Sequence, residues 1–486
     1  MSDSARVGTN LAALVAARFV SMALSFVQMG IMIRALGQEG VGQFTFALNY
    51  PALFTVFATL GIQRLLVRDI ARNPSIAWRY AWTALAVVVV LAGGVQVLVS
   101  VSAAFVHDNP VTQRAVMWAA LSVVFLWAVQ TPFEALITAR ERMGLLAGIY
   151  LLAAVLKLAS VFVVLQLAPT SAGAHAAIAG ANLVALLACV GVAIAVAGWE
   201  RPSFELRLAF EQIRECVPFT AAALCSQLYF KSDVTLLTLI RGEAEAGLYG
   251  PVQRVVEPII MIAGIWGTAV FPALCRLSVD APSRYTQLKR STIRLALVVA
   301  LPMAVGIALI SEPIIRLMAG AQFEAFAPSV LLLQYMTVII PFFYFNGIAQ
   351  EFFYAAHRNW FVVRAYALAA ITNIGLNAAL MPTYGVWALP IAAIAANFVI
   401  AGLFLVGLRR EWGDTRVGLP SLALKTLTAC GVMAAIVYCA APVSLVGGIA
   451  AGAAAYGVLV YLFRVLEPEE RAVVTAILRR VMPGKK

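Results

Sequence analysis

"LGQEGVGQFTFA", residues 36–47, and "IRGEAEAGLYGPV", residues 240–252, are two versions of one connection. Each has an acidic residue, Glu39 or Glu245, just before a glycine-x-aromatic triplet. The triplets Gly42-Gln43-Phe44 and Gly247-Leu248-Tyr249 lie 205 residues apart. Each connection leaves an apolar run long enough to cross a bilayer and enters another that returns to a basic loop. The chain therefore reads as two parallel repeats, spans 1–6 and spans 7–12, followed by two further spans.

Outward from these connections the pattern continues to both ends. The 486 residues are 62% hydrophobic and 12% charged, with a mean hydropathy of +0.91, too little charge to cover a soluble surface. About fourteen spans are expected, near 8–35, 42–63, 80–105, 114–139, 145–168, 174–198, 216–240, 246–274, 292–311, 327–355, 360–381, 385–408, 421–441 and 444–463. The fold class is all-α, a polytopic membrane protein. The divisions expected are an N-terminal lobe at 1–200, a C-terminal lobe at 201–412, the last two spans at 413–466 and a basic cytoplasmic tail at 467–486. The first apolar segment is too long for a cleaved signal and reads as a retained span.

Turn-forming loops such as "HDNPV", "LAPTSAG" and "MPTYG" alternate with basic ones such as "ARERMG" and "LRREWGDTRVG". About 27 of the 35 Lys and Arg fall on one side, which places both termini in the cytoplasm. The net charge of +12 is read as loop orientation and anionic partners at the membrane, not as nucleic-acid binding. The six scattered cysteines form no C-x-x-C pair and the three histidines are far apart, so neither a metal nor a cofactor is expected.

The charges inside the spans are the chemical signal. Arg18, Lys157, Lys231 and Arg254 are cations at membrane depth, with Glu134, Asp233 and Glu257 as carboxylates. Residues 231–233 and 254–257 lie at a common depth of roughly 10–17 Å from the same face. Asp233 is expected to pair with Arg254, tying spans 7 and 8 together. Lys231 is expected to face Glu257 or a cavity, and to form a cationic chamber with Arg18 and Lys157. Neither Arg18 nor Lys157 has an acid within four positions on its own helix, so each needs water or an anion. Gln28, Asn49, Tyr50, Gln227, Tyr229, Gln253, Tyr344, Asn346, Gln350, Tyr354, Asn373 and Asn377 are candidates for sugar contacts or for interhelical bonds. Pro132, Pro218, Pro258, Pro302 and Pro341 mark kinks. Gly448 and Gly452 form a small-residue face suited to internal packing.

The stretches "FVQMGIMIRALGQEGVGQFTFALNYPALFTVFATLGIQRLLVRDIAR", "KSDVTLLTLIRGEAEAGLYGPVQRVVEP", "FPALCRL" and "SEPIIRLMAGAQFEAFAPSVLLLQ" resemble the Wzx-type polysaccharide flippases of the multidrug/oligosaccharidyl-lipid/polysaccharide exporter superfamily. The resemblance spans nearly the whole chain. It implies two six-helix lobes in a V, opening alternately to either side. The implied cargo is an undecaprenyl-diphosphate-linked oligosaccharide at the bacterial inner membrane. A polymerase and a chain-length regulator of the same pathway are implied partners, and the chain is expected to be monomeric. The alternatives are a cation-coupled drug exporter of the same superfamily, a lipid II flippase, or a membrane polymerase or ligase. The exporter is disfavoured because span 1 carries Arg18 and no carboxylate. The enzyme is disfavoured because no loop carries paired carboxylates or a nucleophile with a histidine.

Overall fold

The computed structural model describes residues 3–280, 282–412, 419–440, 444–468 and 470–471. Every long element in it is a helix. In chain order these are α1 (Asp3–Ala52), α2 (Thr55–Thr59), α3 (Ile62–Arg72), α4 (Ala77–Val106), α5 (Pro110–Ala120), α6 (Trp127–Ala139), α7 (Met143–Leu167), α8 (Ser171–Ala197), α9 (Leu206–Arg241) and α10 (Glu243–Asp280). They continue as α11 (Pro282–Leu309), α12 (Ser311–Ala319), α13 (Phe323–Phe326), α14 (Pro328–Thr337), α15 (Ile339–Ala355), α16 (Asn359–Tyr384), α17 (Ala388–Trp412), α18 (Leu419–Ala440) and α19 (Leu445–Leu462). The protein is a polytopic all-α membrane protein. Among the described residues, eleven helical stretches are long and apolar enough to cross a membrane. One of them, Asn359–Arg409, holds two of the spans expected from the sequence, and Ala13–Ala52 holds most of the first and the first half of the second. The seventh expected span lies in α9, outside that set. Bulky apolar side chains such as Phe105 (86% exposed), Leu167 (81%) and Val446 (78%) stand on helix exteriors, where lipid would cover them.

The repeat is written in the backbone as well as in the sequence. Within α1 the helix breaks at Gly37, with φ 66° and ψ −170°. The α9–α10 junction breaks at Gly242, with φ 89° and ψ 178°. These two glycines are again 205 residues apart, and both occupy a region of backbone space essentially closed to side-chain-bearing residues.

The second expected span does not run unbroken over 42–63. Pro51 has no N–H to continue the ladder, so Leu53 and Phe54 turn back onto Tyr50 and Pro51 at 3.3 and 3.0 Å. Leu60 and Gly61, both left-handed, then separate α2 from α3. This break is what places Ala52 and Thr55 at the cavity described below.

Contacts group the chain into two units. The first comprises Met1–Val255, Ile315–Ser329 and Asn373–Leu389, and the second Val256–Ile314, Val330–Thr372 and Pro390–Lys486. The core of the first runs from Phe46 through Trp78, Val124, Leu136 and Ile149 to Cys216. Its basic loops are pinned by ion pairs: Arg68 to Asp69 at 2.7 Å and to Glu215 at 2.6 Å, and Arg79 to Glu205. The two carboxylates hold the Arg68 guanidinium still further above its usual range, and Arg79 holds Glu205 below the usual carboxylate range.

In the second unit α18 packs on α19. Gly448 and Gly452 are buried, and a Cβ at Gly452 would come within 2.5 Å of Val437 Cγ2. The small-residue face is thus filled internally. Gly452→Leu should destabilise this hairpin by about 1–3 kcal/mol, since the facing helix has no room to yield. A thermal melt in detergent equal to that of the parent would refute it.

Candidate functional site

The first unit holds a partly open cavity of about 370 Å³. Its polar lining is Lys157, Glu134, Tyr150, Gln130, Asn182 and Gln227. Three local features of the sequence build it. The stretch Leu121–Leu126 winds as a π-helical turn, which brings Ser122 and Val123 to the cavity wall; such turns recur at functional sites. Asn182 Nδ2 on α8 donates to Ser122 Oγ at 2.5 Å and holds that turn. Next, Pro132 in α6 cannot donate to the Ala128 carbonyl, and Thr131 Oγ1 donates to it instead at 2.7 Å. This stretch of α6 carries Gln130 and Glu134 to the cavity. Finally, Gln227 on α9 donates to the Ala52 carbonyl at 3.1 Å and to Thr55 Oγ1 at 2.8 Å, where Pro51 has broken the helix.

Glu134 is 4% exposed and accepts three hydrogen bonds, from Gln63 at 3.0 Å, Gln130 at 2.7 Å and Tyr150 at 3.0 Å. The Arg18 guanidinium lies 5.5 Å from the Tyr150 ring centre, and its charge acts on Glu134. Arg18, Tyr150 and Glu134 thus form a chain from α1 to the cavity wall. Lys157 lines the same cavity from α7, and a second cation, Arg254, acts on it electrostatically. Among the described residues, Arg18, Lys157 and Arg254 make no ion pair with a carboxylate.

The pairing expected between Asp233 and Arg254 is not made. Asp233 accepts from Asn377 Nδ2 at 2.9 Å, with Asn373 beside it, both on α16. Asn377 also donates to Asn373 Oδ1 at 3.1 Å, while its own Oδ1 is buried without a partner among the described residues. The common depth of residues 233 and 254 was legible, but the azimuth of Asp233 turns it toward α16. The result is a buried set of carboxylate and carboxamide oxygens of the kind that takes a hard cation or a proton. Lys231 acts on Asp233 electrostatically from the same helix.

Several other candidates are engaged in the protein itself. Asn49 and Gln253 exchange hydrogen bonds at 3.2 and 3.1 Å, and Asn49 also donates to the Thr45 carbonyl at 2.8 Å. In the second unit Asn346 Nδ2 donates to Asn397 Oδ1 at 3.2 Å, and Gln350 accepts from Tyr366 at 2.9 Å. Gln28 (7% exposed) and Tyr229 (4%) are buried, Tyr229 edge-on to Phe230. Glu257 is half-buried on α10 and belongs to the second unit. Sequence reasoning missed Glu243 and His107, which lie 3.2 Å apart. The signal was present as an acidic residue at the first position of a helix that follows a glycine break.

The fold has solved relatives. Lipid II flippase MurJ in its inward closed conformation superposes with a TM-score of 0.74 at 13% identity, over 93% of this chain and 98% of that one. An inward-facing multidrug resistance MATE family transporter of the MOP superfamily gives 0.60 at 15% identity, over 80% and 94%. The eukaryotic MATE transporter AtDTX14 gives 0.56 at 12%, over 83% and 95%. No curated protein sequence matches the chain. The family model described as polysaccharide biosynthesis protein matches residues 7–278, more than half of the length. The chain therefore belongs to the polysaccharide biosynthesis protein family.

Proposed function

We propose that the protein is a flippase that carries an undecaprenyl-diphosphate-linked oligosaccharide across the bacterial inner membrane, with both termini in the cytoplasm. The observation that carries this reading is the set of cations at span depth that make no ion pair with a carboxylate among the described residues, Arg18, Lys157 and Arg254, with Lys157 on the wall of a polar cavity. A cation in that setting is costly unless water or an anion compensates it. A diphosphate supplies several charge-assisted acceptors, and the lipid tail would stay in the bilayer. Asn182 and Gln227 offer amides beside the lysine for sugar hydroxyls. The deciding experiment is deletion of the gene, with lipid-linked glycan and surface polymer measured together. Accumulated lipid-linked repeat unit with lost surface polymer supports the flippase; normal polymer rejects it.

A second reading, a cation-coupled exporter, has one observation in its favour. Glu134 places a buried carboxylate in the same cavity. In the flippase reading Glu134 and Asp233 are the groups through which a proton or sodium ion would bias the two states. Glu134→Gln keeps the shape of the hydrogen-bonded site and removes the charge. Transport in proteoliposomes is expected to lose its response to an imposed ion gradient in this variant. A response equal to that of the parent would reduce Glu134 to a structural tie. Sensitivity of the deletion strain to cationic drugs, with intact polymer, would move the assignment to the exporter.

A further inference from the structure

The two quoted connections meet inside the first unit, and they meet backbone to backbone. A Cβ on Gly42 would overlap the Glu243 carbonyl, and a Cβ on Gly247 would overlap the Gln38 carbonyl. Gln38 and Glu243 are themselves 205 residues apart, so exchanging the repeats turns one contact into the other. One turn on, a Cβ at Gly250 would lie 2.8 Å from Thr45 Oγ1, again an equivalent pair. Gln38 Nε2 donates to the Ala244 carbonyl at 2.9 Å across the crossing.

One carboxylate bolts this crossing. Glu243, 8% exposed at the start of α10, accepts from Gln43 at 3.0 Å, Asn109 at 3.3 Å and Thr112, and meets His107 Nε2 at 3.2 Å. Every one of these partners comes from the first repeat. The 107–112 connection is polar and short, and it holds the crossing through these hydrogen bonds and the packing of the His107 ring against Phe46. The hinge glycines Gly37 and Gly242 stand just before the two crossing segments. A close contact of this type is made or lost as a whole, which is how small changes become discrete states.

We propose that the Gly42–Gly247 crossing is a gate at the lysine- and arginine-poor end of the first unit, with Glu243 as its latch. The proposal rests on the transporter reading of the fold and on the orientation proposed above, under which this end faces outward. Glu243 acts by positioning, and its loss frees the gate to part.

The test uses the full chain with its six cysteines replaced and Ala52→Cys as a reporter on the cavity wall. A membrane-impermeant maleimide is applied to spheroplasts and, separately, to inverted vesicles. Glu243→Ala and Gly42→Val are each expected to raise labelling from outside by roughly tenfold, with no rise from inside. Bridging Gln38→Cys to Ala244→Cys with a short reducible thiol cross-linker should return the Glu243→Ala protein to the parental level until reductant is added. That rescue separates a freed gate from a misfolded chain. Unchanged outer labelling in both variants, a rise from both sides at once, or failure of the bridge to suppress labelling overturns the proposal. Labelling needs no glycan, so a deletion strain with normal polymer would sink the glycan reading and leave this result to stand or fall alone.

Discussion

Lys157→Met leaves the protein inserted in the membrane and lowers transport of the lipid-linked glycan by roughly 10- to 100-fold, the loss expected for one charge-assisted hydrogen bond of about 1.5–3 kcal/mol. Methionine keeps the length and the apolar stem of the side chain, so packing along α7 is preserved and only the ammonium is removed. Lys157 shares its surroundings with Arg254 and makes no ion pair among the described residues. Deleting it therefore leaves no carboxylate stranded, and stability should hold or rise. This combination, intact stability with lost transport, separates a ligand from a structural charge. Lysine cannot be exchanged freely for arginine at a fitted site, so Lys157→Arg should recover only part of the activity. Lipid-linked repeat unit measured in membranes at matched expression is the readout. Normal surface polymer in Lys157→Met would remove the lysine from the binding site.

The largest stability effect is expected in the second unit. Arg294 on α11 is 6% exposed, and Glu470 is 1% exposed. Arg294 Nε donates to Glu470 Oε1 at 2.8 Å and its Nη2 to the Val465 carbonyl at 2.9 Å. Arg290 meets Glu467 at 2.6 Å beside them, and Glu470 Oε2 accepts from the Glu467 backbone N–H at 2.8 Å. Glu470→Ala leaves the Arg294 guanidinium buried without its nearest counter-charge, at a cost of about 3–5 kcal/mol. The melting temperature in detergent should fall by several degrees. Removing both charges, as Arg294→Leu with Glu470→Leu, should cost less than Glu470→Ala alone, because no uncompensated charge remains. Melts in which the double variant is the less stable of the two would contradict this account.

The fold was legible because it depends on composition and periodicity. Apolar runs, glycine-rich connections and alternating basic loops fixed an all-α multi-pass chain and the 205-residue offset. The offset then proved sharper in the backbone than in the letters, since Gly37 and Gly242 share a rare conformation that their neighbours do not reveal. Partnerships were less legible. The sequence placed Asp233 beside Arg254, 21 positions away, but its partner is Asn377, 144 positions away. Depth in a membrane can be counted along a helix, whereas direction around the axis depends on packing between helices. Glu243 and Thr112, 131 residues apart, were invisible for the same reason. The C-terminal segment read as a basic tail, and nothing local announced that Glu470 would be buried against α11. Lys157 and Glu134 were singled out by charge alone, but their shared cavity depends on the π-helical turn at Leu121–Leu126 and the break after Pro51.

The reciprocal contact of Gly42 and Gly247 carries a historical implication. A contact that maps onto itself when the repeats are exchanged is one that two identical half-length chains can make with each other, as an isologous dimer does. A gene duplication and fusion would have inherited it ready-made. The departures from symmetry came afterwards. Position 38 holds glutamine and its counterpart holds Glu243, so only one of these two equivalent positions carries a charge. In a homodimer any acid at that position would have appeared twice, side by side. A single chain lets one copy carry the charge while the other stays neutral.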